Sequence, residues 1–325
     1  MTLLARHLLH QGPAFGAFGK LLLQAALQSL DRGAPRDFSA PGPLFRAEVA
    51  CRPEALVRDY VHHVGGTPGY YAGRLPAHLF PQWCLPLGVR LLEGLSGRLL
   101  KVVNGGCRLQ VNGPLYLGRP LHVTAQLLAL EHKANRLVLH QRFVTEQPGS
   151  PLAVLADVYA VMPPRRIVRT DANGNAADDA GRAAARPAPV VPDGASELCR
   201  LDLDRGAGTR FAWLTGDFNP IHTSHTYARS LGFQGVILHG FAALARVMES
   251  FARAKLDGDV DRIRVLDVRF RRPITLPAQL GLFCDQAELF VGERQQSAYL
   301  TGSLVLRDTP VSWNQQLSSY RNFST

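Results

Sequence analysis

One apolar face recurs every three or four residues after Gly240 and is the strongest structural pattern in the sequence. This spacing is typical of an amphipathic α-helix with one buried side. The residues that form the face are Phe241, Leu244, Ala245, Met248, Phe251 and Ala252. The predicted helix begins at His239 and Gly240, so the Gly240 N–H lies in the first turn. Backbone donors there lack partners, and the helix dipole is positive.

Residues 211–240, just before this helix, concentrate the polar side chains that acid/base chemistry needs. Asp217, Asn219 and His222 lie close together, and Pro220 separates the last two. Because Pro220 has no N–H and disfavours the α region at Asn219, this segment is predicted to be an extended loop. Two interpretations are open. The acid and imidazole form an acid/base pair that faces a helix-start N–H, or Asp217 and Asn219 only bond nearby backbone in an Asx turn.

A second, shorter helix is predicted over residues 225–231. Thr223 or Ser224 can cap its first turn, and Gly232 can end it.

Three runs in this stretch, LTGDFNPIH, YARSLGF and ILHG, resemble the signature of the MaoC-like, or type 2, enoyl-CoA hydratases and dehydratases. The resemblance implies a hot-dog fold, in which an antiparallel sheet wraps a long central helix. It also implies reversible addition of water to trans-2-enoyl thioesters, giving (R)-3-hydroxyacyl products. By position, it implies Asp217 and His222 as the catalytic pair, Asn219 as the residue that orients them, and Gly240 as the source of an oxyanion-binding amide.

Further residues are expected to contact the substrate. Phe218, Ile221 and His239 flank the predicted catalytic residues, and Arg271 and Arg272 precede a proline in a strand that the fold brings near the central helix. The two arginines are expected to touch the phosphates of the acyl carrier, because guanidinium groups grip phosphate through paired donors. A solvated basic strand end is the alternative.

Composition bounds the class of protein. An apolar content of 46% over 325 residues suffices for two cores. The cysteines are scattered without a Cys-x-x-Cys pair, which argues against a zinc site or a disulfide framework; no metal and no cofactor are expected. The net charge of +10 rests mainly on arginine. No basic run interleaved with aromatics points to nucleic acid, so phosphates of a thioester carrier or arginine-rich coding bias explain the charge.

Four segments are predicted along the chain. They are an N-terminal extension (residues 1–44), an N-terminal hot-dog domain without the catalytic motif (45–162), a linker rich in glycine, proline and mixed charge (163–197), and a C-terminal catalytic hot-dog domain (198–325). Residues 21–30 read as an amphipathic helix too short to span a membrane, and the default localisation is cytoplasmic. The predicted strands cover residues 106–111, 121–130, 136–145, 152–161, 263–271, 280–289 and 296–306.

The two predicted domains echo each other. Residues 114–121 (PLYLGRPL) and 273–280 (PITLPAQL) share the register of prolines and leucines, which favours an α+β double hot-dog of two antiparallel sheets, each around its own helix. The first helix, over residues 75–92, contains Pro81 and Pro86 and should be kinked or broken. That break would leave a cleft for a long or bulky acyl tail; the alternative is a kink filled by Phe80, Trp83 and Leu87.

The catalytic loop has no counterpart in the first half. Asp59 and His63 are one residue closer than Asp217 and His222, and no Asn-Pro separates them. His62 and His63 are therefore expected to be structural or surface histidines.

The combined prediction is a hydro-lyase acting on an acyl-CoA or acyl-carrier-protein thioester, as a monomeric pseudo-dimer or a homodimer, with no nucleic acid and no integral membrane segment. Two alternatives stay open: a hot-dog acyl thioesterase and a non-enzymatic acyl-thioester-binding subunit. Release of free thiol, as against loss of the enoyl chromophore, separates the first alternative from hydration. The complete Asp-x-Asn-Pro-x-His set weighs against the second.

Overall fold

The computed structural model describes residues 3–14, 16, 39–93, 102–133, 136–162, 169–170, 176–177 and 189–308. The α-helices in this part are α1 Glu54–His63, α2 Pro81–Arg90, α3 Ala207–Thr215, α4 His225–Ser230 and α5 Gly240–Lys255. The strands are β1 Phe45–Val49, β2 Val103–Val111, β3 Leu121–Lys133, β4 Arg136–Gln147, β5 Ser150–Met162, β6 Arg169–Thr170, β7 Ala176–Ala177, β8 Ser196–Leu203, β9 Ile263–Phe270, β10 Ala278–Asp285, β11 Glu288–Gly292 and β12 Leu300–Leu306. Short 3₁₀ turns are Leu3–Gln11, Pro68–Tyr71, Ala77–Leu79, Pro220–His222 and Val260–Arg262.

Ten strands pair in the order β1-β3-β4-β5-β2-β9-β12-β11-β10-β8, and all the pairings are antiparallel. The first five strands of this order belong to the first half of the chain and the last five to the second. The halves join where β2 pairs with β9, with Cys107 opposite Val268. The predicted double hot-dog is confirmed, but the two predicted sheets are continuous, because this central pairing leaves no edge between them.

The sequence echo between the halves corresponds to equivalent backbone positions. The Leu75 N–H donates to the Leu115 carbonyl at 2.7 Å, and the Leu238 N–H donates to the Ile274 carbonyl at 2.8 Å. Each of these bonds joins the chain just before a central helix to the segment that connects two consecutive strands of the same half. The internal repeat inferred from sequence is therefore present in the hydrogen bonding.

The two central helices differ. Helix α5 runs for 16 residues, and its predicted apolar face packs into the core. Helix α2 has only 10 residues: it begins at Pro81 after the turn Ala77–Leu79 and contains Pro86. A proline is tolerated in the first helical turn but lacks the N–H that would continue a helix from the turn before it. The helix predicted over residues 75–92 is accordingly broken at its N-terminal side.

A buried polar cluster joins the halves. Glu249 of α5 accepts a hydrogen bond from the Tyr71 hydroxyl at 2.6 Å and lies 3.0 Å from Nε2 of His78. The Tyr60 hydroxyl donates to the His78 carbonyl at 2.8 Å. All four side chains are buried. Because an unpaired carboxylate would be costly here, these bonds fix the second central helix against the first half.

The segments outside the two halves are described only in part. Gln11 donates from Nε2 to the Leu214 carbonyl at 2.9 Å, which anchors the turn Leu3–Gln11 on α3. Strand β8 begins at Ser196, two residues before the predicted start of the second domain, and the Val191 N–H already pairs with the Gln296 carbonyl. The helix predicted over residues 21–30 lies outside the described residues. None of the described helices is long and apolar enough to cross a bilayer.

Candidate active site

The polar loop starts where helix α3 ends. Gly216 has the left-handed φ of 82° that favours glycine, and its N–H donates to the Ala212 carbonyl, which closes the helix. Pro220 to His222 then form one 3₁₀ turn. The prediction of a fully extended loop was wrong here, because proline suits the first position of a helical turn. Asn219 itself is extended, as predicted, with ψ of 122°.

Asp217 and Asn219 make the local hydrogen bonds of the Asx-turn interpretation, and their part in an acid/base pair stays a prediction. The Asp217 carboxylate accepts from the Asn219 N–H at 3.3 Å, and the Asn219 side chain accepts from the Ile221 N–H at 3.3 Å, as in Asx turns. The same two side chains also line a cavity of about 160 Å³. The local bonds therefore hold the two polar groups at the cavity wall, and Asn219 caps the turn that carries His222.

His222 has a fixed tautomer. Its Nδ1 lies 2.8 Å from the Ile237 carbonyl oxygen, which can only accept, so Nδ1 carries the proton. Burial lowers the pKa of His222 below its usual value, against an opposing effect of the Asp217 charge. The ring is accordingly neutral at neutral pH, with Nε2 left as a proton acceptor.

Asp217 keeps 19% of its side-chain surface exposed. The rest of the side chain is buried, and this burial raises the pKa of the carboxyl. The neighbouring His222 and the hydrogen bond from the Asn219 N–H act in the opposite direction. One ligand atom from each of Asp217, His222 and His239 lies within 4.8 Å of the others. Two groups at that separation can hold a single water molecule between them.

His239 is the N-cap residue of helix α5, and its ring packs against that of His222. Its ring stacks on His222 with centroids 3.6 Å apart and planes 24° from parallel. Its Nε2 lies 2.9 Å from the Asp217 backbone carbonyl, so Nε2 donates to it. Burial holds the pKa of His239 well below its ordinary value. The sequence placed His239 against the substrate; the structure shows it bonded to the backbone of one predicted catalytic residue and stacked on the other.

These three side chains are poorly arranged for a metal ion. In two imidazoles stacked almost in parallel, the in-plane lone pairs run side by side instead of converging on one point. One nitrogen of His222 and one of His239 also donate to backbone carbonyls. The arrangement suits proton transfer to and from a substrate better than ligation.

Gly240 is the first residue of α5, as predicted. Among the described residues no acceptor is bonded to its N–H, as expected in a first helical turn. A Cβ at this position would lie 2.7 Å from Cε2 of Phe270, so any other residue would require this ring or the helix start to move. Phe241, the next residue, lines the cavity. The helix start thus presents a backbone donor beside the cavity.

The cavity has a volume of about 160 Å³ and lies between the halves. Asp217, Asn219 and Phe241 come from the second half. The first half supplies an apolar wall, mostly from α2 and the strands beneath it: Phe80, Pro81, Cys84, Leu85, Gly88, Val89, Leu92, Val102, Val103, Phe143, Val158 and Ala160, with polar Asn104 and Gln141. The predicted cleft beside the broken helix is present.

Four predicted contact residues are not at this wall. Phe218 packs edge-on against Trp213 at 5.5 Å, and Ile221 is buried in the core. Arg271 donates to the Thr301 hydroxyl at 2.9 Å, and the Arg272 guanidinium lies 4.5 Å from the centre of the Tyr299 ring. Both arginines follow β9 at its end. Contact with the thioester carrier stays a prediction for these two.

Comparisons with known proteins match the part of the chain that contains the polar loop. The family model described as MaoC like domain matches residues 201–298, which include the polar loop and the start of α5. 3-Hydroxyacyl-thioester dehydratase X of Mycobacterium tuberculosis is 38% identical over 79 residues, 24% of this chain and 26% of that protein. Peroxisomal multifunctional enzyme type 2 of Mus musculus is 28% identical over 191 residues, 58% of this chain and 24% of that protein. The chain thus matches about a quarter of the length of these two relatives.

The fold also has solved counterparts. The crystal structure of HtdX of Mycobacterium tuberculosis superposes with a TM-score of 0.63 at 18% identity, over 82% of this chain and all of that one. A structure titled MaoC-like dehydratase superposes with a TM-score of 0.66 at 16% identity, over 85% of this chain and all of that one. At such low identity the likeness concerns the fold. The family model by itself matches residues 201–298 as a MaoC like domain, the family that the residues of the polar loop predicted.

Proposed function

We propose that the chain is a hydro-lyase that reversibly adds water to trans-2-enoyl thioesters and forms (R)-3-hydroxyacyl thioesters, within fatty acyl metabolism. The observation that carries the proposal is that the Asp217 carboxyl lies at the wall of an apolar cavity with one ligand atom of His222 within 4.8 Å of it. A protein named 3-hydroxyacyl-thioester dehydratase X is among the relatives of the chain.

In the hydration direction, Asp217 and His222 hold one water over the enoyl double bond. One of them takes a proton from the water as its oxygen bonds to C3, and a proton passes from the pair to C2. Electron density that moves onto the thioester oxygen is stabilised by the Gly240 N–H, and it returns as the C2–H bond forms. The two groups titrate as a coupled pair, so the base is assigned to the pair.

The acyl tail lies in the cavity under α2. Its wall is apolar, and burial of methylene groups contributes about 0.8 kcal/mol each. The T-shaped contact between Phe80 and Phe241, at 5.1 Å, sets the two halves of the chain against each other on this wall. The carrier, coenzyme A or an acyl-carrier protein, remains outside, where Arg271 and Arg272 are candidates for phosphate contact.

The test is a turnover panel with short, medium and long trans-2-enoyl and 3-hydroxyacyl thioesters on both carriers. Loss of the enoyl absorbance without release of thiol is expected, with a rate that does not collapse for longer chains. Thiol release at the rate of substrate loss would assign a thioesterase instead. No turnover of any thioester would overturn the proposal in favour of a binding subunit.

A further inference from the structure

One polar side chain in the wall of the cavity has a hydrogen-bond donor without a partner. Asn104 lines the cavity, and its Nδ2 atom is buried and makes no hydrogen bond to the residues that the structure describes. Its Oδ1 atom accepts from the Gly106 N–H at 3.1 Å. Because a backbone N–H can only donate, this bond fixes which end of the carboxamide is the oxygen. The Nδ2 group is therefore the end that is left to donate.

A β-bulge turns Asn104 towards the cavity. Cys107 of β2 is buried in the core opposite Val158 of β5, and side chains along a strand alternate between its two faces. Counted from Cys107, position 104 would fall on the opposite face. The register shifts between Asn104 and Gly106, so that Asn104 lies opposite Ala160. Ala160 and Val158 both line the cavity, and partners across a strand pair share a face, so Asn104 lies on the cavity side of the sheet.

The rest of the first-half wall does not supply an acceptor for Asn104. Gln141, the other amide in this wall, donates from Nε2 to the Gly88 carbonyl at 3.2 Å. It belongs to β4, which β5 separates from β2, so the two amides lie on strands roughly 10 Å apart. The other described side chains of this wall are apolar or a thiol. The molecule that occupies the cavity is therefore the natural source of the acceptor, and in a hydratase that molecule is the acyl tail.

We propose that the chain prefers acyl groups with an acceptor oxygen, a keto or hydroxyl group, at the point of the tail that passes Asn104. This inference rests on the proposed hydration and narrows its substrate class. A pure hydrocarbon tail buries the Nδ2 donor unpaired, whereas an oxygen in the tail restores a hydrogen bond. Water is a poor substitute in this apolar wall, since a buried water makes about three hydrogen bonds. Asn104 is accordingly a specificity-determining residue.

Calorimetric binding of saturated acyl-CoA esters tests the preference without turnover. The probes are dodecanoyl-CoA and a series in which one keto group moves along this chain carbon by carbon. At one carbon, or two neighbouring ones, the affinity for the keto ester relative to the plain ester should fall at least about tenfold in Asn104→Leu, which corresponds to one hydrogen bond of ordinary strength. A parallel hydroxyl series distinguishes the two kinds of oxygen.

Asn112→Leu is the matched control. Asn112 follows β2 at its other end, donates to the Leu152 carbonyl at 2.9 Å and does not line the cavity, so the ratio of affinities should stay within about twofold of wild type. A ratio that Asn104→Leu leaves unchanged, or changes equally at every carbon in both series, would overturn the inference.

Two further readouts keep this test separate from others. Should Asn104→Leu fail to fold, the wild-type profile decides: affinity at least about tenfold higher for one oxygen position than for the rest is expected, and a flat profile contradicts the inference. Hydration of trans-2-dodecenoyl-CoA reports on the reaction itself. Turnover with a flat binding profile overturns only the preference for an oxygen, and an Asn104-dependent profile without turnover overturns only the reaction.

Discussion

The imidazole of His239 stacks on that of His222 at 3.6 Å and donates from Nε2 to the backbone carbonyl of Asp217 at 2.9 Å. One side chain therefore positions both members of the predicted catalytic pair, although it lies 22 residues after Asp217 in the chain. A residue in this position acts through the geometry of others and does not need to touch the substrate.

We expect His239→Phe to keep the stack but lose the bond to Asp217. A displaced carboxylate should lower kcat by about 10- to 100-fold, because small misplacements are costly in oriented reactions, while KM changes little. Steady-state kinetics measure both parameters. His225→Phe, at an exposed position of α4, is the control and should leave them unchanged. Wild-type kcat in His239→Phe would show that His239 does not position the pair.

Gly240→Ala tests the helix start. The added Cβ would lie 2.7 Å from the Phe270 ring, so we expect overpacking to cost about 1–3 kcal/mol of stability. The displaced N–H should reduce kcat by about 10²–10³-fold, as for loss of an oxyanion donor. Urea unfolding and kinetics measure the two effects. Gly240→Ala combined with Phe270→Leu should regain most of the stability. A Gly240→Ala protein with wild-type rate and stability would contradict the assignment.

Gly88→Leu tests the acyl cavity. Gly88 lines it, and a Cβ there would already lie 3.3 Å from Cζ of Phe143, so a leucine must extend into the open space. We expect kcat/KM to fall by about tenfold or more for long-chain thioesters, since each excluded methylene forfeits about 0.8 kcal/mol, and to change little for the shortest. Gly194→Leu, where no atom lies near the added Cβ, is the control. Equal losses at all chain lengths would place the tail elsewhere.

His63 links stability to pH. Burial lowers the pKa of this histidine to about 3 in the folded chain, against about 6.5 for an unperturbed imidazole, so the folded state favours the neutral ring. The stabilisation is complete above pH 6.5 and is lost as the pH falls towards 3, because only the unfolded chain takes up the proton. We expect His63→Gln to flatten the slope of unfolding free energy between pH 6.5 and 4 by up to about 1.4 kcal/mol per pH unit. Urea midpoints measure it, and His62→Gln, at an exposed neighbour, should keep the wild-type slope. Identical slopes for His63→Gln and wild type would refute this.

Local patterns predicted the elements that depend on local chemistry. The apolar face after Gly240 predicted helix α5, and Ser224, one of two candidate caps, accepts from the Tyr227 N–H at the start of α4. Local patterns also misplaced some boundaries. The predicted strand over residues 280–289 is two strands, because the chain reverses at Gln286, whose φ of 51° is unusual for a non-glycine residue and carries no sequence signal.

Long-range relations were less accessible. The pairing of β2 with β9, which merges the sheets, joins residues far apart in the chain, and nothing in either strand alone specifies it. The contact of His239 with Asp217 likewise joins residues that are distant in the chain. The sequence assigns no role to Arg246, because its neighbours on α5 are mostly apolar and the pattern predicts only a buried helix face. That its Nη1 atom is buried without a hydrogen-bond partner among the described residues is visible only after packing.

Hydration of a trans-2-enoyl-CoA by the wild-type chain, Asp217→Asn and His222→Gln tests the central claim most directly. The account predicts clear turnover by the wild type and rates lower by about 10²–10⁴-fold in each variant, with unchanged circular dichroism. A folded Asp217→Asn, His222→Gln double variant that hydrates at the wild-type rate would contradict it.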